Sequence, residues 1–239
     1  MLYSSVHNDK IKELKKLKEK KYRDQLGKYI VEGDHLIKEA DQLGILECAY
    51  ILDGKDVDIN APKNYVTKEV LKYITDLETP TMIGIVKKVT KDNIGDKIVI
   101  LDNIQDPGNL GTIIRSAVAF NADTIVLSND TVDLYNDKVL RATQGMIFKI
   151  NIVRKDLIPF IESIRKTHYI YGTKVNGGNS LKKIEKKNKY AIIMGNEGKG
   201  MSNKLDELCD SFIYIDMNPS CESLNVGVAT SIILYELDK

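Results

Sequence analysis

The feature that most constrains this chain is a set of short apolar runs in its second half: KIVIL, TIVL, KINIV, YIYG, YAIIM and FIYI. Most carry almost no polar residue, as expected of strands buried on both faces. Between them lie stretches with helical spacing of apolar residues, GTIIRSAVAF, DKVLRATQGMIF, DLIPFIESIRKT and, last, LNVGVATSIILYEL. Strands that alternate with helices predict a mostly parallel sheet with both faces covered. The first half repeats the alternation on a smaller scale. KYIVEG, ILECAYILD and TMIGIVKKV read as strands, and DHLIKEADQL and EVLKYITDL as helices. The polar TKDNIGD between the halves reads as a linker. The expectation is two α/β domains, residues 1–92 and 93–239.

Composition narrows the function classes. Of the 239 residues, 43% are hydrophobic and 29% charged, enough for a core and a solvated surface. Cys48, Cys209 and Cys221 show no CxxC spacing, and none of the three His lies beside a Cys. Neither a disulfide framework nor a metal site is therefore expected. No apolar run is long enough for a membrane span, and MLYSSVHNDKIKELKK has no leader-like apolar stretch, so the expected location is cytoplasmic. Between Lys10 and Lys28, on what reads as one helix followed by a strand, nine basic residues face three acidic ones. That surplus fits a solvated helix face or a patch that contacts nucleic-acid phosphates.

Three unusual segments follow strands: NIQDPGNLG (103–111), MGNEGKGMS (194–202) and DMNPSCESLN (216–225). Each alone is an ordinary turn. In a parallel sheet all three fall on one rim, where ligands bind. Familiar nucleotide motifs do not fit them. Gly195 and Gly200 have phosphate-loop spacing but Met201 follows, and Gly108 and Gly111 supply only part of a dinucleotide fingerprint. His7, His35 and His168 lie outside all three segments, which disfavours a Ser–His–Asp system.

DPGNLGTIIRSA, IIMGNEGKGMS and IDMNPSCESLNVGVATSIILYE resemble, in type, order and spacing, the three motifs of the SpoU-type (TrmH-like) RNA ribose 2′-O-methyltransferases of the SPOUT class. The likeness spans about Lys97 to Leu237, and YIVEGDHLIKEA resembles the family's ribosomal-protein-like substrate-binding domain. The resemblance implies a SPOUT fold with a deep trefoil knot, a homodimer whose sites draw on both chains, S-adenosylmethionine as cofactor, and RNA, ribosomal RNA in particular, as partner. It assigns Asn109, Arg115, Glu197, Ser223 and Asn225 to the catalytic centre. Thr173, Gly195, Gly198, Ile215, Met217 and Leu224 fall to the cofactor. Asp216, where the family often has Pro, and NPSC, where a Gly-containing stretch is usual, depart from the pattern.

For these residues the bland alternatives stay open. Arg115 fits a tie to Asp106 or Glu197 as well as a phosphate contact. Glu197 fits a helix cap or a holder of Asn109, one of Ser223 and Asn225 fits a cap, and Lys199 fits simple exposure. Two whole-protein alternatives are a catalytically silent RNA-binding protein of the same fold and a Rossmann-type nucleotide enzyme.

Overall fold

A computed structural model describes residues 1–89 and 93–238. The chain divides into two compact units, Met1–Val89 with Tyr135–Gly145, and Thr90–Leu134 with Met146–Lys239. The expected division at residue 92 was contiguous. It therefore needs one correction, because Tyr135–Gly145 groups with the first unit. Thr90–Asp92 of the expected linker lie outside the described residues.

The first unit runs β1 (Leu2–Tyr3), α1 (Asp9–Lys16), α2 (Lys20–Leu26), β2 (Lys28–Glu32), α3 (Asp34–Gln42), β3 (Leu46–Leu52), β4 (Lys63–Val66), α4 (Lys68–Ile74) and β5 (Met82–Lys87). Its sheet has the order β1-β4-β3-β5-β2, with β5 antiparallel to both β2 and β3. Ile11, Leu14 and Leu17 meet Val70, Leu71 and Ile74 over Ile30, Tyr50, Ile83 and Ile85 in one core cluster. A Cβ on Gly84 would lie 2.7 Å from Leu46 Cδ1 and 3.1 Å from Ile37 Cγ1. Only glycine lets those side chains close over β5.

The lysine-rich stretch is two helices rather than the single one expected. Buried Arg23 explains the break, donating from Nη1 to the carbonyls of Leu17 (2.8 Å) and Lys18 (2.6 Å) and so closing the end of α1. Lys18 is likewise drawn inward, to Glu32 (2.7 Å) and Asp137. Lys28 pairs with Glu47 at 2.6 Å. Three of the nine cations are thus occupied internally. Lys10, Lys16, Lys20 and Lys21 stay exposed, with Lys16 and Lys21 within 6 Å of the Tyr22 ring.

The second unit starts with β6 (Lys97–Leu101), α5 (Pro107–Ala119) and β7 (Thr124–Leu127). The chain then enters α6 (Asp137–Thr143), which belongs to the first unit. There Glu32, with a side chain only 2% exposed, holds Arg141 at 2.9 Å and Lys18 at 2.7 Å. The helix expected over DKVLRATQGMIF breaks at Gln144 (φ 49°) and Gly145 (φ 85°), two successive left-handed residues, before a short 3-10 turn at Met146–Phe148. Then follow β8 (Asn151–Arg154), α7 (Leu157–Ile164), β9 (Tyr169–Thr173), β10 (Asn179–Ser180), β11 (Tyr190–Met194), α8 (Asn203–Asp206), β12 (Ser211–Tyr214) and α9 (Val226–Asp238).

The second sheet has the order β10-β12-β9-β11-β6-β7-β8, and every pairing in it is parallel. Ile98, Ile100, Val126, Ala191 and Ile193 form one cluster with α7 residues and Leu205 of α8. The intervening Val99, Leu101, Ile125 and Ile192 are equally buried, so both faces are covered as the apolar runs predict. The order reverses at the β6–β11 pair, since β6 continues to β7 on its other side while β11 continues to β9. Open α/β sheets bind ligands at such a switch point, beyond the carboxyl ends of the strands. Among the described residues no helix is long and apolar enough to cross a membrane.

Candidate active site

The segments after β6, β11 and β12 lie on the carboxyl rim of this sheet. The first is shorter than expected. Pro107 opens α5, and the Asp106 carboxylate accepts from Asn109 N at 2.8 Å as N-cap. Gly108, Asn109 and Gly111 therefore belong to the helix, not the loop. A proline with its φ preset and no N–H to satisfy starts a helix where an eye set for glycine loops sees a turn.

A cavity of about 630 Å³ opens between the end of β9, the loop after β11, the loop after β12 and α9. Thr173, Gly195, Gly198, Ile215, Met217 and Leu224 all line it, as do Glu197 and Ser223. Gly195 is needed for its shape, because a Cβ there would fall 2.3 Å from Gly200 C and Met201 N. Asn196 folds the loop on itself. It exchanges backbone hydrogen bonds with Gly200 (3.0 and 2.9 Å), and its Oδ1 accepts from Gly198 N (3.0 Å) and Lys199 N (3.1 Å). Its Nδ2 donates to Asn103 O at 2.8 Å, joining this loop to the one after β6. On the apolar side, Val226, Ala229 and Ile233 add a stripe of α9 to Ile215, Met217 and Leu224. Sequence reading missed Asn196 and this stripe, although the i, i+3, i+7 spacing of the three α9 residues was a usable signal.

A cavity of this size, with glycines on one side and apolar side chains on the other, fits a nucleoside cofactor. Gly195 and Gly198 offer main-chain groups, and Ile215, Met217 and Leu224 suit an adenine face. Among the described residues no three or more His, Cys, Asp and Glu side chains are grouped as a metal site requires.

Beside the cavity runs a chain of side-chain hydrogen bonds. Asn225 is the N-cap of α9, its Oδ1 accepting from Gly227 N (2.9 Å) and Val228 N (3.3 Å). Those two N–H groups fix its amide orientation, so Nδ2 must point the other way. It donates to Asn109 Oδ1 at 2.7 Å, and Asn109 Nδ2 in turn donates to Glu197 Oε1 at 3.0 Å. Glu197 also accepts, at longer range, from the N–H groups of Asp106 (3.4 Å) and Gln105 (3.5 Å). Burial pulls its pKa up, but the hydrogen bonds from Asn109 and the backbone outweigh that and hold it below the usual glutamate value. Glu197 is thus a fixed anion that orients Asn109, and its lowered pKa makes it a poor proton acceptor.

Asn109 and Asn225 do not line the cavity but reach Glu197 through this chain. Arg115 stands apart. The apolar setting of α5 suggested a cation on a buried helix, yet Arg115 occupies the solvent side with Thr112 and Ala119, while Ile113, Ile114 and Ala117 are buried. It pairs with neither Asp106 nor Glu197. Lys199 is exposed at the cavity edge.

Comparison with known proteins places these features in context. Residues 96–235 match the SpoU rRNA Methylase family and residues 8–84 an MRM3-like substrate binding domain. The chain is 34% identical over 241 residues to the 23S rRNA (guanosine(2553)-2'-O)-methyltransferase RlmP of Bacillus subtilis, covering 98% of this chain and 97% of that protein. An AdoMet-bound rRNA methyltransferase from Sinorhizobium meliloti superposes with a TM-score of 0.87 at 30% identity, over 99% of this chain and 97% of the other. The SpoU methyltransferase AviRb from Streptomyces viridochromogenes, in complex with AdoMet, shares the fold with a TM-score of 0.85 at 23% identity, over 97% of each chain.

Proposed function

The chain belongs to the SpoU rRNA methylase family, and from that premise we infer that it methylates a ribose 2′-hydroxyl of RNA, ribosomal RNA in particular, using S-adenosylmethionine. The observation that carries this reading is the cavity at the carboxyl ends of β9, β11 and β12, with the Asn225–Asn109–Glu197 chain at its edge. Thr173, Gly195, Gly198, Ile215, Met217 and Leu224 would hold the cofactor. When bound, S-adenosylmethionine supplies an electrophilic methyl group on a sulfonium.

The protein's own task is to bring a weakly acidic hydroxyl to that methyl and stabilise the negative charge that develops on its oxygen. Glu197 stays anionic and holds Asn109 in one orientation. Arg115 presents a guanidinium that no carboxylate among the described residues neutralises, suited to a nucleotide phosphate and to lowering the hydroxyl's pKa. It is not the base, because guanidinium does not deprotonate in proteins. A phosphate oxygen or a water takes the proton. Ser223, on the cavity wall, is positioned for a polar contact to the reacting nucleotide.

Arg115 lies on the exposed side of α5, which packs against α9 through a Ser116–Ser231 hydrogen bond of 2.6 Å. Val228, Ile232 and Tyr235 of α9 leave an apolar i, i+4, i+7 stripe 46%, 37% and 52% exposed. Both features support a homodimer in which each site draws on two chains. The first unit captures RNA through the exposed lysines of α1 and α2. A trefoil knot around the cofactor loops and a cytoplasmic location, where ribosomal RNA is handled, complete the reading.

The test is incubation with labelled S-adenosylmethionine and ribosomal RNA lacking the modification, then mapping of the ribose that resists alkaline cleavage. Label confined to one 2′-oxygen is expected. Cofactor binding with no label in any RNA would replace this reading with a silent RNA-binding protein.

A further inference from the structure

We propose that Arg154, outside all three motif segments, is a positioning residue that sets the geometry of the active-site rim through a clamp on the loop after β7. The proposal rests on the methyltransferase reading above. Arg154 ends β8 and is half-buried. Its Nη1 donates to the carbonyls of Ser128, Asn129 (3.0 Å) and Thr131 (2.9 Å), and its Nη2 to that of Val132 (3.1 Å). One guanidinium thus gathers four carbonyls from five consecutive residues. Only a planar, multiply donating fork can do this, and lysine cannot reproduce it.

The clamped loop in turn holds the loop after β6. Ser128 Oγ accepts from Asn103 N at 2.9 Å, and Thr131 Oγ1 accepts from Ile104 N at 3.3 Å. Val132 N donates to Ile104 O at 2.9 Å, and Gln105 Nε2 donates to Asp130 O at 2.7 Å. Asn103 sits in the left-handed region with φ of 59°, which asparagine tolerates better than other non-glycine residues. From there the contacts reach the site itself. Asn103 O accepts from Asn196 Nδ2, and Gln105 N donates to Glu197. No residue of the clamp or of the Asn103–Asp106 segment lines the cavity. Losing the clamp therefore disturbs the RNA-facing rim, while Asn196, a cavity residue it reaches, keeps its own contacts to Gly198, Lys199 and Gly200 that shape the cofactor wall.

Arg154→Lys, Arg154→Met and Arg154→Ala are compared with wild type for kcat, RNA KM, calorimetric binding of S-adenosylhomocysteine and thermal unfolding. All three variants are expected to lose kcat by about tenfold or more, since small misplacements of reacting groups are costly. Affinity for S-adenosylhomocysteine should change by less than about twofold, because its wall lacks these residues. Added guanidinium ion should restore part of the Arg154→Ala rate, and lysine should not rescue. An unchanged kcat in all variants overturns the proposal. So does a parallel loss of ligand affinity, rate and folded protein, which would make Arg154 a purely structural tie. Failure of wild type to bind S-adenosylhomocysteine overturns the methyltransferase reading itself, and this proposal with it.

Discussion

Replacement of Asn225 separates two jobs held by one side chain. In Asn225→Ala the N–H groups of Gly227 and Val228 lose their cap, and Asn109 loses its 2.7 Å donor. Loss of an N-cap costs about 1 kcal/mol, and loss of a polar hydrogen bond about 1 kcal/mol more. The sum of about 2 kcal/mol lowers the melting temperature of the second unit by about 4–8 °C for a domain of this size. Asn225→Asp keeps the cap, since Asp serves equally well and favours the helix N-terminus. Its carboxylate has no N–H to give, so Asn109 must turn its amide to donate to it, which breaks the 3.0 Å bond to Glu197. Asn225→Asp should therefore melt within about 2 °C of wild type and yet methylate about a hundredfold more slowly. Differential scanning calorimetry and single-turnover methylation measure the two effects on the same samples. An Asn225→Asp protein with wild-type rate refutes the directional chain, and an unmoved melting temperature in Asn225→Ala refutes the cap.

Other perturbations bear on separate parts of the site. Arg115→Met should leave the melting temperature within about 1 °C of wild type, because the side chain is exposed, while the methylation rate falls by about a hundredfold. A near wild-type rate in Arg115→Lys would show that no forked contact is used. Alanine at Lys16, Lys20 or Lys21 should lower the slope of log K against log salt by about one for each residue that meets a phosphate, read by filter binding. Gly195→Ala forces a Cβ to 2.3 Å from backbone atoms and should weaken S-adenosylmethionine binding about tenfold or more in calorimetry, at a folding cost of about 1–3 kcal/mol. Because the Glu197 pKa is lowered on folding, its contribution to stability is present above the ordinary value of 4.5 and fades as pH falls through the lower folded value. Denaturant unfolding should find a gap between wild type and Glu197→Gln that is constant near neutral pH and shrinks below about pH 4.5.

Much of the second unit was legible because its physics is local. Near-continuous Ile and Val runs of four or five residues, set between helical stretches, read as strands covered on both faces, and parallel strands put their following loops on one rim. Glycine and asparagine after β11 and β12 then mark the loops that border the cavity. What escaped depended on partners distant in sequence. Nothing near Arg23 announces that it closes α1, and nothing near Lys18 announces Glu32 and Asp137. A count of positive charge therefore overstated the patch. Asn225 read as either a cap or a site residue, and the structure shows that its cap contacts are what aim it at Asn109. Strands of two residues, β1 and β10, give too short a pattern to be read.

The passage of Tyr135–Gly145 through the first unit also bears on the order in which the molecule is made. Synthesis proceeds from the amino terminus, and domains ordinarily fold as they emerge. Here the amino-terminal unit must wait for a helix encoded after β7. Until Arg141 emerges, Glu32 has only one of the two cations that hold it in the finished protein. The first unit therefore completes itself on a ribosome that has already made the whole motif bearing Asn109 and Arg115, and a cut at residue 89 would take from it the partners Asp137 and Arg141.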